Sequence, residues 1–280
     1  MKKVFFIVLA FIAINTAKSQ GVYDDFIYTR QAVQERKVIP WPYLREADVF
    51  WAKRITRIID VREKQNRPMQ WPKNPLSLII YKAIINGKLI PYTDDSLKSV
   101  MSIEEFSRLG SDTSIQETPI DPNDPTITKT DTVYSSLDPV VAIQKFKIVE
   151  DWIFDKKESR MFVRIVSIAP QYNRRALGVE LGWQDMAVLK YHEDQNNEFD
   201  CRELFVNMEV FNRQNDAGRI TFDDWFEQRL FSSYIIKEAN QEDMRIKDYA
   251  AFKDNPVAGM LEGERIKNDL FEREHDLWEF

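Results

Sequence analysis

Apolar residues mark out the elements before any other feature of the chain does. From Asp48 onward, Phe50, Trp51, Ile55, Ile58 and Ile59 recur near helical spacing, with Lys53, Arg54, Arg57 and Arg62 between them. This predicts an amphipathic helix, although the β-branched run leaves a strand open. The chain then turns through Arg67-Pro68 and Trp71-Pro72. Asn74-Pro75 reads as an N-cap followed by proline at the first helical position, and Leu76, Ile79, Ile80, Ala83 and Ile84 give that helix one apolar face. Asn86-Gly87 is suited to end it with a left-handed cap. Ser102-Ile103-Glu104-Glu105 has the form of a capping box and predicts a second, short helix.

Residues 110–139 break the pattern. Ser, Thr, Asp and the prolines Pro119, Pro122, Pro125 and Pro139 dominate, with few large apolar groups to offset ordering entropy. The expectation is a linker or long mobile loop dividing the chain in two. After it the period shortens. Phe146, Ile148 and Trp152-Ile153-Phe154, a charged turn over 155–159 and then Met161 to Ile168 read as a β-hairpin. Strand-like segments follow at 187–191 and 204–211. A closing helix opens near Asn255-Pro256 and carries Leu261, Ile266, Leu270, Phe271, Leu277 and Trp278 on one side. Residues 78–109 and 204–230 also echo each other faintly, each an apolar segment, a turn and a capped helix with an acidic pair before an aromatic.

The fold class expected from these elements is α+β, with two small lobes of helices and antiparallel strands. An N-terminal, mainly helical lobe spans 20–109, and a C-terminal lobe with closing helices spans 140–280. Residues 1–19 read as a secretory signal peptide, with Lys2 and Lys3, an apolar stretch from Val4 to Ile14, and small side chains at Ala17 and Ser19. That stretch is far shorter than the ~20 residues a membrane-crossing helix needs. The mature N-terminus would carry no thiol for a lipid anchor, because the only cysteine is Cys201. One thiol also excludes a disulfide framework, and Cys201 reads as a small core residue.

Charge and chemistry narrow the function mainly by exclusion. The chain is acidic, net −6, with scattered basic residues, which argues against a nucleic-acid partner. His192 beside Glu193 and Asp194, and His275 between Glu274 and Asp276, lack the spacing of a zinc pair and read as parts of exposed faces. The acidic pairs Asp94-Asp95, Glu104-Glu105, Glu150-Asp151 and Asp223-Asp224 are neighbours that point apart, and the pairs at 104 and 223 suit the first turn of a helix. Eight glycines form no phosphate loop, nucleophile elbow or dinucleotide fingerprint. No catalytic, cofactor-binding or metal-binding residue is singled out. The remaining candidates are aromatic anchors for partners: Trp41, Tyr43, Trp71, Trp278 and Phe280.

Several segments together resemble the GldN/PorN family of gliding-motility and type IX secretion proteins. They are Trp51 with Ile59-Asp60-Val61-Arg62-Glu63-Lys64, then Glu150-Asp151-Trp152-Ile153-Phe154-Asp155, and then Glu209-Val210-Phe211-Asn212. Thr221 through Ile235 and the ending Glu274 through Phe280 complete the set. The resemblance implies a non-enzymatic periplasmic subunit, attached to the outer membrane through a GldK/PorK-type lipoprotein. It further implies a ring containing further copies of the chain, engaged by a GldM/PorM-type motor subunit, with no cofactor. The competing classes are a periplasmic hydrolase with acidic residues in an inter-lobe cleft and a binding module with an apolar groove.

Overall fold

The computed structural model describes residues 36–109, 112–121, 124–135, 137–176, 179–192, 200–215 and 217–276, apart from the side chains of 112–135 and 175–179. Strand β1, Val49–Asp60, occupies the segment whose spacing favoured a helix. Its first half alternates between exposed and half-buried positions, and its second half is almost wholly buried. Burial on both faces erases the period of two and leaves a run that mimics helical spacing. The short helices α1, Leu76–Ile85, and α2, Ile103–Arg108, follow as expected, but the N-cap of α1 is Pro75 and not Asn74, whose side chain instead donates to the Glu209 carbonyl.

Local chemistry explains their ends. At α1 the Gly87 N–H donates to the Ile84 carbonyl, the Lys88 N–H donates to the Ala83 carbonyl, and Gly87 takes a φ of 68°. Those bonds make a Schellman cap, which favours glycine at the left-handed position. The Ser102 hydroxyl accepts from the Glu105 N–H to open α2.

The segment expected as a linker carries strands β2, Asp112–Asp121, and β3, Asp124–Ser135, paired antiparallel as a sheet of their own. A single turn, α3, Pro139–Ala142, leads into β4, Ile143–Asp155, and β5, Arg160–Ala176, the expected hairpin with its charged turn. Then come β6, Val179–Asp185, and β7, Leu189–Lys190. The strand expected over 204–211 is instead the end of helix α4, Cys201–Phe205, followed by the two-residue strand β8, Glu209–Val210. The Asp200 carboxylate accepts from the Glu203 N–H and starts α4. β8 pairs with β9, Ile220–Thr221, which leads into α5, Phe222–Glu227. Strand β10, Tyr234–Glu238, and helix α6, Pro256–Asp276, complete the fold. The internal echo fails on element order, since 78–85 is helical whereas 204–212 is a helix end, a turn and a strand.

The main sheet runs β10-β1-β4-β5-β6 with β7 also on β5, and every pair is antiparallel. Directly opposed residues share a face, so Ile59 with Phe146, Arg57 with Ile148, Ile55 with Glu150 and Lys53 with Trp152 lie on one side. There Ile59, Phe146, Ile148 and Ile168 join Ile80 and Ile84 of α1 with Phe205, Phe222 and Phe226 of α4 and α5. A second cluster joins Ile55, Trp152 and Ile235 to Ile266 and Leu270 of α6. The sheet and the larger cluster draw on both sides of 110–139, so the core crosses the expected division instead of stopping at it. β1 lies between two strands from beyond it.

Helix α6 opens where expected, with the Asn255 side chain accepting from the Ala258 N–H. Its buried stripe is Gly263, Ile266 and Leu270, whereas Leu261 is 66% exposed and Phe271 52%. The apolar face is therefore rotated from the expected one. The reason is a close approach: a Cβ on Gly263 would stand 2.9 Å from the Ile235 carbonyl oxygen, so glycine lets the helix lie against β10.

Candidate functional site

Residues 36–45 cross the molecule as an extended arm held by one aromatic anchor. Trp41 stacks near Tyr191 at 6.4 Å between ring centroids and meets His192 edge-on at 4.8 Å. The guanidinium groups of Arg202 and Arg164 lie 4.9 and 5.4 Å from its ring, where cation–π attraction operates. Its indole N–H donates to Glu227 Oε2 at 3.3 Å. On either side, Arg36 pairs with Asp224 at 2.5 Å and Arg164 Nη2 donates to the Pro42 carbonyl at 2.6 Å. All these partners lie beyond β4 in the chain, so the arm ties the start of the described residues to α4, α5 and β5.

The socket beneath Trp41 is a buried charge cluster. Arg202 Nε donates to Asp223 Oδ1 at 2.9 Å and faces Glu227 at 3.8 Å, and its side chain is 3% exposed. Burial raises the Glu227 carboxyl above its ordinary pKa, with Arg202 and the Trp41 hydrogen bond opposing that rise. Burial also lifts the Tyr191 hydroxyl and the Cys201 thiol well above theirs. Cys201 is fully buried, as a core residue would be. His192 is not part of an exposed face: its Nδ1 lies 2.9 Å from Asp200 Oδ2, and its side chain is 10% exposed.

The other acidic pairs are also engaged. Glu150 is fully buried and bonded by Arg57 at 3.0 Å and Arg229 at 2.9 Å, with the Trp152 indole N–H donating to it. Its neighbour Asp151 turns to the opposite face and holds Arg54 in a two-pronged bond at 2.7 Å. Burial lowers the Arg57 pKa despite the Glu150 charge. Lys147, 3% exposed, is held by Asp95 and Asp185. Asp223 and Asp224 open α5, where Thr221 and Asp224 form a reciprocal capping box. Among the described residues no group of three or more His, Cys, Asp or Glu is arranged to hold a metal ion.

The aromatic candidates fall in different settings. Trp41 is an internal anchor, while Tyr43 next to it is 91% exposed. Ile39 and Phe50, at 78% and 68% exposure, flank it along the same arm and the start of β1. Trp71 is half-buried, 5.5 Å from Phe211, and Lys73 sits over its ring at 5.8 Å. Trp278 and Phe280 lie outside the described residues. The sequence reading missed the Arg202–Asp223–Glu227 socket, since nothing in the spacing of those residues sets them under a tryptophan from the other end of the chain.

A family model described as gliding motility associated protein GldN matches residues 44–279. The chain belongs to the GldN family. The match takes in the whole main sheet of this GldN-family chain, along with Trp71 and Trp278. It begins just past Trp41 and Tyr43 and stops one residue before Phe280. A search of the curated proteins found no match. The family is that of a gliding-motility component, and no described helix is long and apolar enough to cross a membrane.

Proposed function

We propose that this chain is a non-enzymatic structural subunit of a periplasmic, ring-like complex in the type IX secretion and gliding machinery. It binds a GldK/PorK-type outer-membrane lipoprotein and the periplasmic part of a GldM/PorM-type motor subunit. Family membership is the observation that carries this reading. The buried carboxylates support it from the chemical side. Glu150 and Asp223 are bonded by the buried guanidinium groups of Arg57 and Arg202, and the part-buried Asp185 holds the buried Lys147, an arrangement that fixes structure. The exposed arm supports it from the surface side, because Tyr43 and Phe50 are aromatic groups of the kind that anchor interfaces.

The test is to tag the chain at its C-terminus, extract it gently from envelope membranes and identify what co-purifies in stoichiometric amounts. An outer-membrane lipoprotein in a very large assembly is the expected result. Recovery of the chain alone would overturn the reading.

A further inference from the structure

Strands β2 and β3 pair from Asp112 with Ser135 to Asp121 with Asp124. No other strand joins them, and among the described residues neither makes an extended contact with another element. A lone two-stranded hairpin is marginal in water, having two open edges and no face packed on a core. The sequence of this one is acidic, with Asp112, Glu117, Asp121, Asp124 and Asp131 against Lys129. Pro119 and Pro125 each remove a backbone donor, but Thr126–Ser135 is free of proline and rich in Thr, Ile, Val and Tyr. That run suits pairing with one further strand.

A complementary edge exists elsewhere on the molecule. β4 covers one side of β5 from Arg160 to Tyr172, but on the other side β7 and β6 pair only from Ser167 onward. Tyr191 adds one bond, its N–H donating to the Val166 carbonyl. From Arg160 to Ile165 that side of β5 has no strand partner among the described residues. Its surroundings carry a net positive charge: Lys156 and Lys157 stand in the turn before it, Arg160 is paired with Glu158 at 3.0 Å, and Arg164 is held by the Pro42 carbonyl of the arm. Proteins rarely leave such an edge open without a device to block it.

We propose that the β2–β3 hairpin of one copy adds through β3 to the free β5 edge of a second copy. This rests on the structural-subunit reading and names the contact between its copies. Backbone pairing supplies the attraction, and the acidic hairpin against the basic edge supplies the selection. In its own copy the hairpin makes no extended contact with β5, which favours the neighbour as recipient. Each copy then offers one hairpin and one edge, two unlike surfaces. Such a contact propagates head to tail and closes into a ring when the rotation between copies allows.

The test uses the mature chain and two single-cysteine additions, Thr130→Cys in β3 and Phe162→Cys on the β5 edge, native Cys201 being buried. Mixed and treated with a short bis-maleimide, the two variants are expected to give a cross-linked pair that neither gives alone. Sedimentation is read in parallel. Arg160→Glu is expected to abolish concentration-dependent assembly, and the further change Asp131→Lys in the same chain to restore it. A parent that stays monomeric, a mixture that does not cross-link, or a charge reversal that restores nothing overturns the proposal. Lipoprotein capture by a chain with 112–135 replaced by a Gly-Ser loop separates the two readings. Retained capture with lost self-assembly is the expected result, and lost capture with unchanged self-assembly gives the hairpin to the lipoprotein and overturns the inference. Loss of lipoprotein capture by the parent chain, with cross-linking intact, would count against the subunit reading alone.

Discussion

Two neighbouring residues of the arm separate holding the fold from meeting a partner. Trp41→Ala removes a half-buried ring with its cation–π and hydrogen-bond contacts, and is expected to lower stability by about 2–3 kcal/mol in urea melts. Limited proteolysis should then cut within 36–45 faster than in the parent chain. Tyr43→Ala, by contrast, should leave the melting temperature unchanged and reduce co-purification of partner. Glu227 has a pH signature of its own. Its folded pKa is raised, chiefly by burial, so its contribution is fully present below the ordinary value of 4.5 and is lost as pH rises through the folded value. Glu227→Gln keeps an acceptor for Trp41 and removes the buried charge. Melting temperatures of parent and variant should converge in acid, and the variant should be the more stable at neutral pH. Aromatic residues beside polar ones were visible in the sequence as interface candidates, but which would turn inward was not. That depends on Arg164, Arg202 and Glu227, brought together only by folding.

The elements carry their own logic, and their errors of reading have physical causes. Gly263→Ala would push α6 off the Ile235 carbonyl, costing about 1–3 kcal/mol, with faster hydrogen exchange at β10 amides as the local signature. Glu150→Ala would leave Arg57 and Arg229 facing each other in a buried seam between the two apolar clusters. A loss of about 3–5 kcal/mol is expected in denaturant melts, while Asp151→Ala on the exposed face should cost about 1 kcal/mol or less. Helices with explicit caps, such as those after Ser102, Thr221 and Asn255, were legible because a cap is a local chemical requirement. Asp200 with Glu203 was an equally good start signal for α4, masked by the apolar run that follows it. β1 was the hardest to read, because Arg57 and Asp60 are buried in ion pairs and interrupt the alternation that marks a strand. Residues 112–135 gave no apolar period, since Thr, Ser, Asp and Pro dominate their composition.

At the scale of the molecule, the hairpin and the sheet are separable. Replacing 112–135 with a flexible loop should shift the melting temperature by no more than about 3 °C, because neither of its strands pairs with the main sheet. The sheet itself has no such modularity. Ile55 pairs with Glu238, and the strand that holds Ile55 also needs β4 on its other side. A chain emerging N-terminus first therefore cannot finish its central strand until nearly all of it has arrived, and non-local pairings of this kind close slowly. Such delay suits the proposed periplasmic role, in which the chain must stay threadable during export, because β1 lacks one of its two partner strands until β10 is through.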